Sequence, residues 1–364
     1  MAAREWLYIV QESAFNTPII AASQVVGGST PNAFYLRLDG SDTFTMRPVP
    51  VMVAVPYGGG YAIDAFRVSD KTELRGRIMT KLYQGQFASF LLSWAGVRCG
   101  PTSGSITSPW VTTEPAGDLA SCALVHAIQA TTPTGTTSFV MRGYTGVKVE
   151  GYDFTVSEDQ QIATLSLDLS ASTPAPAIEG GSAPAWFTTL TAPTDLQLPG
   201  PQASAGCGGA PFVFTHAGTG GGGTSLVLGG GGSPITRVQF QNLTISSKNV
   251  LMRRFWANQF AQIMRFCGRS TTLQAQHFYN VTPDDRINYE ALTLMTPATF
   301  QLYASASDVV TWNFNANSVL TAVTDQLALN DLFLQTFTLQ NQYDATVGTG
   351  YAQDYSLTLV PSTF

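Results

Sequence analysis

One stretch constrains the fold of this chain more than any other: residues 146–170, GVKVEGYDFTVSEDQQIATLSLDLS, alternate between apolar and polar side chains. Apolar Ala163, Leu165, Leu167 and Leu169 are interleaved with polar Thr164, Ser166, Asp168 and Ser170. Successive side chains of a strand point to opposite faces, so this pattern predicts a strand with one buried face. The apolar phase slips at Gly151, which predicts a β-bulge. The stretch is therefore predicted to form a bulged hairpin.

A stretch of similar character at 327–360 predicts a second hairpin at the end of the chain. In it FTL at 337–339 corresponds to FTV at 154–156, and YSLTL at 355–359 corresponds to LSLDL at 165–169. Earlier segments correspond as well, because 72–94 and 268–292 each predict a strand that runs into a helix. The sequence thus predicts one strand–helix–hairpin domain that is used twice.

Short runs rich in β-branched and aromatic residues, most of them bounded by Gly, Pro, Asn or Asp, predict further strands. These runs lie at 34–38, 49–55, 61–68, 74–79, 121–129, 138–141, 238–245, 299–304, 309–314 and 320–327. Aromatic residues and leucines recur at helical spacing in 81–97 and predict a helix that packs on the sheet. Thr282, followed by Pro283 and two aspartates, predicts the start of a second helix.

Two segments of biased composition predict connections. Residues 172–186, STPAPAIEGGSAPAW, are rich in Pro, Ala and Gly and predict a linker between the domains. Two glycine tetrads in 217–233 lack the Lys-Ser/Thr ending and the following helix of a phosphate-binding loop. They predict a flexible, exposed hairpin or loop.

The chain carries little charge: 12% of its residues are charged and 44% are hydrophobic, whereas about 25% are charged in average proteins. A monomer normally relies on charge to stay soluble. The composition favours a subunit whose surface is largely covered by copies of itself, and a neutral, Thr-rich β protein is the alternative. The net charge of −6 argues against tight nucleic-acid binding, which needs a basic surface.

The sequence contains no recognisable catalytic or metal-binding motif. Its cysteines and histidines are scattered, at Cys99, Cys122, Cys207, Cys267, His126, His216 and His277. They have no zinc-binding spacing, and no nucleophile or calcium-loop motif occurs. The sequence has no apolar run of about 18 residues, so no transmembrane helix is predicted. The acidic N-terminus does not predict a signal peptide. We therefore expect no enzyme, no cofactor and no membrane, and folding in a reducing cytoplasm.

The order of these elements resembles that of bacteriophage tail tube proteins, the major tail proteins of long-tailed phages, in the version with two tube domains in one chain. Four segments carry the resemblance: AREWLYIVQESAFNTP, YTGVKVEGYDFTVSEDQQIATLSLDLSAS, PFVFTHAG…ITRVQFQNLTISSKN and DQLALNDLFLQTFTLQNQYD. The glycine-rich insertion at 217–233 and the short second helix depart from the family pattern.

The resemblance implies a mainly β fold of two tandem tail-tube-like domains, each a β-sandwich or half-barrel with a packed α-helix. The domains would span 1–171 and 211–364, joined by 172–210, and would close into a β-barrel ring on oligomerisation. Three chains would form a pseudo-sixfold ring, and helically stacked rings would form the hollow tube of a virion tail around a tape-measure protein. DNA would pass through without specific binding. A tail terminator and distal tail or baseplate proteins would bind the tube ends.

The resemblance also implies a lumen and contacts between rings. The polar phase of the two hairpins gives lumen-facing candidates: Lys148, Glu150, Asp153, Ser166, Asp168, Thr336, Thr338, Gln340 and Thr358. Acidic and uncharged groups there would repel phosphate and let DNA slide. The inter-ring candidates are Asp39, Gly40, Asp42, Arg47 and Tyr57, in a segment, 38–61, that is predicted to fold only on contact with a neighbouring ring.

Three other functions stay open as alternatives. Another virion β-protein, such as a tail terminator or a capsid decoration protein, usually lacks an internal duplication. A receptor- or carbohydrate-binding module often exposes clustered aromatic residues, whereas the six Trp of this chain are scattered. An enzyme is the third alternative.

Overall fold

A computed structural model describes a large part of the chain. The residues described are 3–12, 14–16, 33–38, 43–55, 65–82, 91–92, 94–95, 110–112, 118–131, 137–159, 162–181, 212, 224–228, 235–237, 240–278, 289–292, 298–305, 308–314, 318–327, 333–340 and 355–360.

Most of these residues lie in antiparallel β-strands, which confirms the prediction of a mainly β fold. The first half of the chain contributes β1 (Ala3–Gln11), β2 (Ala33–Leu38), β3 (Thr43–Val55), β4 (Ala65–Lys81), β5 (Trp110–Thr112), β6 (Cys122–Thr131), β7 (Thr137–Ser157), β8 (Thr164–Ala171) and β9 (Thr173–Gly181). The second half contributes β10 (Ser225–Leu228), β11 (Ile235–Arg237), β12 (Phe240–Arg254), β13 (Ile263–Phe278), β14 (Ala298–Ser305), β15 (Asp308–Phe314), β16 (Val319–Leu327), β17 (Phe333–Gln340) and β18 (Tyr355–Val360).

Eight strands form one antiparallel ladder, here called the inner sheet, in the order β3-β4-β8-β7-β12-β13-β17-β16. The first four strands come from the first half of the chain and the last four from the second half. Both blocks have the same order, since β12, β13, β17 and β16 take the places of β3, β4, β8 and β7. The ladder between β7 and β12 joins the two blocks. Within the described residues the inner sheet is open, and β3 and β16 are its outermost strands.

Each half also has an outer sheet, and the strand order again repeats. The first outer sheet is β2-β1-β6-β7-β9 and the second is β11-β10-β14-β15-β18. The long strand β7 belongs to the inner and the outer sheet, a role that β15 and β16 divide in the second half. The short strand β5 of the first half pairs with β18 and so extends the second outer sheet.

The apolar faces of the inner and outer sheets share one core. Leu165 and Leu167 are fully buried, as the alternation predicts. The register between β7 and β8 shifts between Val149 and Gly151, which confirms the predicted bulge. Leu91, Leu92, Trp94 and Ala95, from the predicted first helix, are helical and buried in this core. In the second helix only Tyr289 and Glu290 are described as helical, and its predicted start lies outside the described residues.

The predicted hairpin at the end of the chain is wrong. β17 pairs with β13 and β16 in the inner sheet, whereas β18 pairs with β15 and β5 in an outer sheet. β17 therefore corresponds to β8, and residues 337–339 correspond to 167–169 rather than to 154–156. An alternating pattern determines which face of a strand is buried, but it does not determine which other strand pairs with it.

Two segments that were predicted to be connections contain strands. Thr173–Gly181, in the predicted linker, pairs with β7 at an edge of the first outer sheet. Its alternating prolines are compatible with an edge strand, which needs no donors on its open side. Ser225–Leu228, between the glycine tetrads, pairs with β11 and β14, and Leu226 is fully buried. The segment thus forms part of a hairpin with β11, one of the two predicted forms, but its strand is buried in the core rather than exposed. The domain boundaries stay a prediction.

Candidate assembly surface

One face of the inner sheet packs on the outer sheets, and the other, here called the open face, carries polar side chains. From the first half these are Thr43, Thr45, Arg47, Glu73, Arg75, Arg77, Asp153, Thr155, Ser166 and Asp168. From the second half they are Asn242, Thr244, Ser246, Lys248, Thr272, Gln274, Gln276, Thr324, Gln326, Thr336, Thr338 and Gln340. Six of the lumen-facing candidates therefore share one face: Asp153, Ser166, Asp168, Thr336, Thr338 and Gln340.

Two arginines of the open face form ion pairs within it. The Arg77 guanidinium lies 3.6 Å from the Asp168 carboxylate and 3.8 Å from that of Asp153, and it donates a hydrogen bond to Ser166. Arg75 pairs with Glu73 at 2.7 Å. Burial raises the pKa of the Asp168 carboxyl above its usual range, although Arg77 opposes the shift. The open face therefore carries cationic side chains as well as acidic and uncharged ones.

Lys148, Glu150 and Thr358 are placed elsewhere. Lys148 pairs with Ser170, in the same alternation as Asp168, but its side chain is only 1% exposed because it is buried against Asp118 and Met264. Glu150 lies in the bulge and accepts a hydrogen bond from Arg253 at 2.7 Å. Thr358 belongs to β18 of the second outer sheet. These three candidates do not join the other six on the open face.

The buried Lys148 ties the two halves of the chain together. Its ammonium group donates to the carboxylate of Asp118 and to the carbonyl oxygen of Met264, both at 2.6 Å. The other carboxylate oxygen of Asp118 accepts from the backbone N–H of Phe266 at 3.0 Å. The ring of Phe15 lies 4.9 Å from the ammonium group. Burial lowers the pKa of Lys148, and the hydrogen bond and charge of Asp118 oppose this shift.

The ladder between β7 and β12 shows how one block of the inner sheet joins the next. It pairs seven residues, from Asn242 opposite Ser157 to Lys248 opposite Gly151. A Cβ at Gly151 would lie 2.9 Å from the carbonyl oxygen of Ser247, so glycine permits this close approach. On the core side Phe154 and Ile245, which face each other, are fully buried.

The outermost strands β3 and β16 are the counterparts of the two strands at this junction. β3 corresponds to β12, the first strand of its block, and β16 corresponds to β7, the last strand of its block. β7 has a bulge after Val149, and β16 has one after Leu320. When the two bulges are superposed, Phe154 of β7 corresponds to Asp325 of β16. The pairings of β4 and β13 align Met46 of β3 with Ile245 of β12. If β16 of one chain met β3 of another in the register of β7–β12, residues 322–327 would pair with 44–49.

Two prolines mark the outer edge of β3. Alternate residues of a strand direct their N–H groups to opposite sides. A proline in a strand is tolerated where its nitrogen faces an open edge. Pro48 and Pro50 thus indicate that the even-numbered residues face outward, so the edge offers N–H groups at Phe44 and Met46 but none at either proline. Hydrogen bonds from β3 to a strand of another chain would therefore end near Pro48. The β7–β12 ladder ends at a similar place, because its last residue on β12, Lys248, corresponds to Val49 of β3.

The inter-ring candidates fall in and around β3. Arg47 is exposed on the open face, directly opposite Arg75. Thr43–Val55 pairs with β4 within a single chain, so the prediction that 38–61 folds only on contact with a neighbour is wrong for these residues. Asp39, Gly40, Asp42 and Tyr57 lie outside the described residues.

The sequence predicted strands at 49–55 and 320–327 but not their position at the edges of the inner sheet, although the alternating prolines of β3 could have indicated an edge. In the described part of the chain, no group of three or more acidic, His or Cys side chains is arranged to hold a metal ion. No helix in that part is long and apolar enough to cross a membrane. Compared with known proteins, the chain matches no protein-family model and no curated protein.

Proposed function

We propose that the chain is the subunit of a phage tail tube, in which chains join through β3 and β16 into rings and rings stack into a hollow conduit for DNA. One observation carries the proposal: the same four-strand block occurs twice in the inner sheet. The outermost strands are the counterparts of the two strands that already join the blocks. A further copy of the chain can therefore continue the sheet in the way the chain continues itself.

Closure of the sheet into a ring would favour assembly of the subunits, because it pairs the open strand edges. An open strand edge exposes unpaired backbone groups and promotes aggregation, whereas a closed barrel has no edges. A head-to-tail contact that repeats with a constant rotation generates a ring when the rotation closes. Three chains would supply six blocks, the number that the resemblance to tail tube proteins implies.

In this arrangement the open face lines the lumen. Arg77 and Arg75 have acidic partners beside them, which weakens the attraction of these two cations for DNA phosphates. The strands β16 and β17 contribute only uncharged side chains among the described residues of this face. DNA would pass without specific binding. A tape-measure protein inside the tube, and terminator and baseplate proteins at its ends, complete the proposed virion tail.

Electron microscopy of the purified protein tests this function. At rising protein concentration we expect rings and then hollow tubes, because assembly pairs the edges of β3 and β16. Mass photometry of dilute samples should give masses in multiples of the 38.9 kDa chain, with the trimer dominant among the closed species. A protein that stays monomeric at high concentration would contradict the proposal.

A further inference from the structure

The junction within the chain is closed by three aromatic side chains. Phe154 of β7 lies 4.6 Å from Trp312 and 6.1 Å from Phe300, measured between ring centroids, and these two rings are 5.4 Å apart. All three are at most 1% exposed. Phe154 comes from the first half of the chain, whereas the other two lie in the second outer sheet. The trio therefore seals the place where one block meets the next.

The repeat identifies the counterparts of this trio where two chains would meet. The row Leu226–Phe300–Trp312 crosses β10, β14 and β15. The matching row across β1, β6 and β7 is Leu7–His126–Arg142. This alignment nearly preserves the spacing along the chain, since Arg142 precedes Phe154 by 12 residues and Trp312 precedes Asp325 by 13. It also matches the core row Leu228–Ala298–Phe314 with the core row Ile9–Leu124–Tyr144.

Each aromatic residue of the trio is thus replaced by an ionisable one. Asp325 occupies the position equivalent to that of Phe154, His126 that of Phe300, and Arg142 that of Trp312. The Asp325 carboxylate accepts a hydrogen bond from Gln335 at 3.0 Å, at a place where Phe154 faces Leu165. The β16 end of the inner sheet thus carries polar groups, Asp325 and Gln335, on the side that is apolar at the centre of the sheet.

The second side of this contact lies beside the open strand β3. The His126 ring lies 5.1 Å from that of Phe44 on β3. Its Nε2 atom is 2.6 Å from the carboxylate of Glu5. Arg142 is exposed in the single chain, although its counterpart Trp312 is buried. The difference is expected if the strand that covers Arg142 belongs to another molecule.

We propose that Asp325 of one chain binds at the site formed by His126 and Arg142, with Glu5, of a second copy of the chain. The inference rests on the proposed ring and specifies its contact. An apolar trio suits a junction that forms once, during folding. A contact between separately folded chains benefits from charges, which keep the free edges from mispairing and favour the correct partner. Because Arg142 is exposed before assembly, the contact should weaken at high salt.

A charge exchange tests the contact. Asp325→Arg and Arg142→Asp should each raise the protein concentration needed for ring formation by at least about a hundredfold, since like charges at an interface are strongly unfavourable. The two changes in one chain should restore ring formation to within about tenfold of the unchanged protein, because they recreate the pair with opposite polarity. Glu158→Arg, at an exposed turn away from the contact, is the matched control and should leave ring formation unchanged.

The outcomes separate this contact from the proposed function. If the unchanged protein forms rings and Asp325→Arg forms them equally well, the ionic contact is wrong and the ring stands. If the single changes block assembly but the double change does not restore it, Asp325 and Arg142 are not partners. If the unchanged protein forms no rings, the proposed function fails and the contact fails with it. Thermal unfolding of each variant as a monomer verifies that it folds.

Discussion

Asp118→Asn is expected to lower the free energy of unfolding by about 2–4 kcal/mol. Removing one member of a buried ion pair typically costs about 3–5 kcal/mol, because the other charge is left unpaired. We expect somewhat less here because Asp118 is 45% exposed, although Lys148 is almost fully buried. Asparagine keeps an oxygen that can accept from the backbone N–H of Phe266, so the loss reports mainly on the charge. Equilibrium unfolding of the monomer in urea measures it.

Lys148→Met is the matched control and should cost less than Asp118→Asn. Methionine fills a similar volume, and the carboxylate it leaves unpaired can reach water. The double variant should be close to Lys148→Met alone, since no buried charge is left to stabilise. An Asp118→Asn variant within about 0.5 kcal/mol of the unchanged protein, the usual range for surface changes, would show that the pair is not needed to hold the halves together.

The same pair predicts how stability depends on pH. Burial lowers the pKa of Lys148 in the folded state, so the unfolded chain binds this proton more tightly. Stability should therefore rise with pH from the lowered pKa up to the ordinary range of lysine. Asp118→Asn removes the group that opposes the shift. Its stability should rise with pH more steeply, and over a wider window, than that of the unchanged protein.

Met46→Pro is expected to abolish ring formation while the monomer stays folded. The N–H group of Met46 faces the open edge of β3, so proline removes no bond to β4. The proline ring instead blocks the approach of β16 from another chain. Size-exclusion chromatography with electron microscopy should show monomers at concentrations where the unchanged protein forms rings, and circular dichroism should show unchanged β structure.

Two controls separate the edge from the side chain. Met46→Ala shortens the same side chain but keeps the N–H group, and it should still assemble. Ile245→Pro changes the counterpart of Met46 in a strand that is paired on both sides. It should strongly destabilise the monomer, since it removes a ladder hydrogen bond from a central strand. Rings from Met46→Pro would contradict the assignment of β3 as an assembly edge.

The parts of the fold that the sequence predicted well depend on local pattern. The β7–β8 hairpin, its bulge at Gly151 and the buried leucines of β8 follow from alternation and one phase slip, which are read within a few residues. The first helix follows from the spacing of Leu91 and Trp94. Side chains on these elements, such as Asp153 and Asp168, were correctly placed on one polar face.

The errors concern which strands pair with each other and strands that lie in segments rich in proline or glycine. β17 and β18 are both amphipathic, so their pattern could not show that they belong to different sheets. The strand in the predicted linker was hidden by prolines that an edge strand tolerates, and β10 was hidden by the glycines around it. Lys148 has the predicted polar phase, opposite Ser170, but it is buried against Asp118 and Met264, and local alternation does not reveal such distant contacts. The correspondence of Asp325 with Phe154 depends on pairing across distant strands, which one sequence does not reveal.

A disulfide between chains tests the central claim, that β16 of one chain pairs with β3 of the next in the register of β7–β12. In that register Thr45 lies opposite Gln326, as Thr244 lies opposite Thr155 within the chain. Residues directly opposite in antiparallel strands are about 4.5–5.5 Å apart between Cα atoms, a span that a disulfide can bridge. The exposed Cys267 is replaced by serine in all variants.

Oxidised assemblies of Thr45→Cys/Gln326→Cys should give covalent dimers and trimers on denaturing gels, whereas Thr155→Cys/Thr244→Cys should give only cross-linked monomers. Thr45→Cys/Ala322→Cys, displaced by four residues along β16, should not link chains. Efficient linkage in the displaced pair, or none between 45 and 326 in intact rings, would contradict the claim.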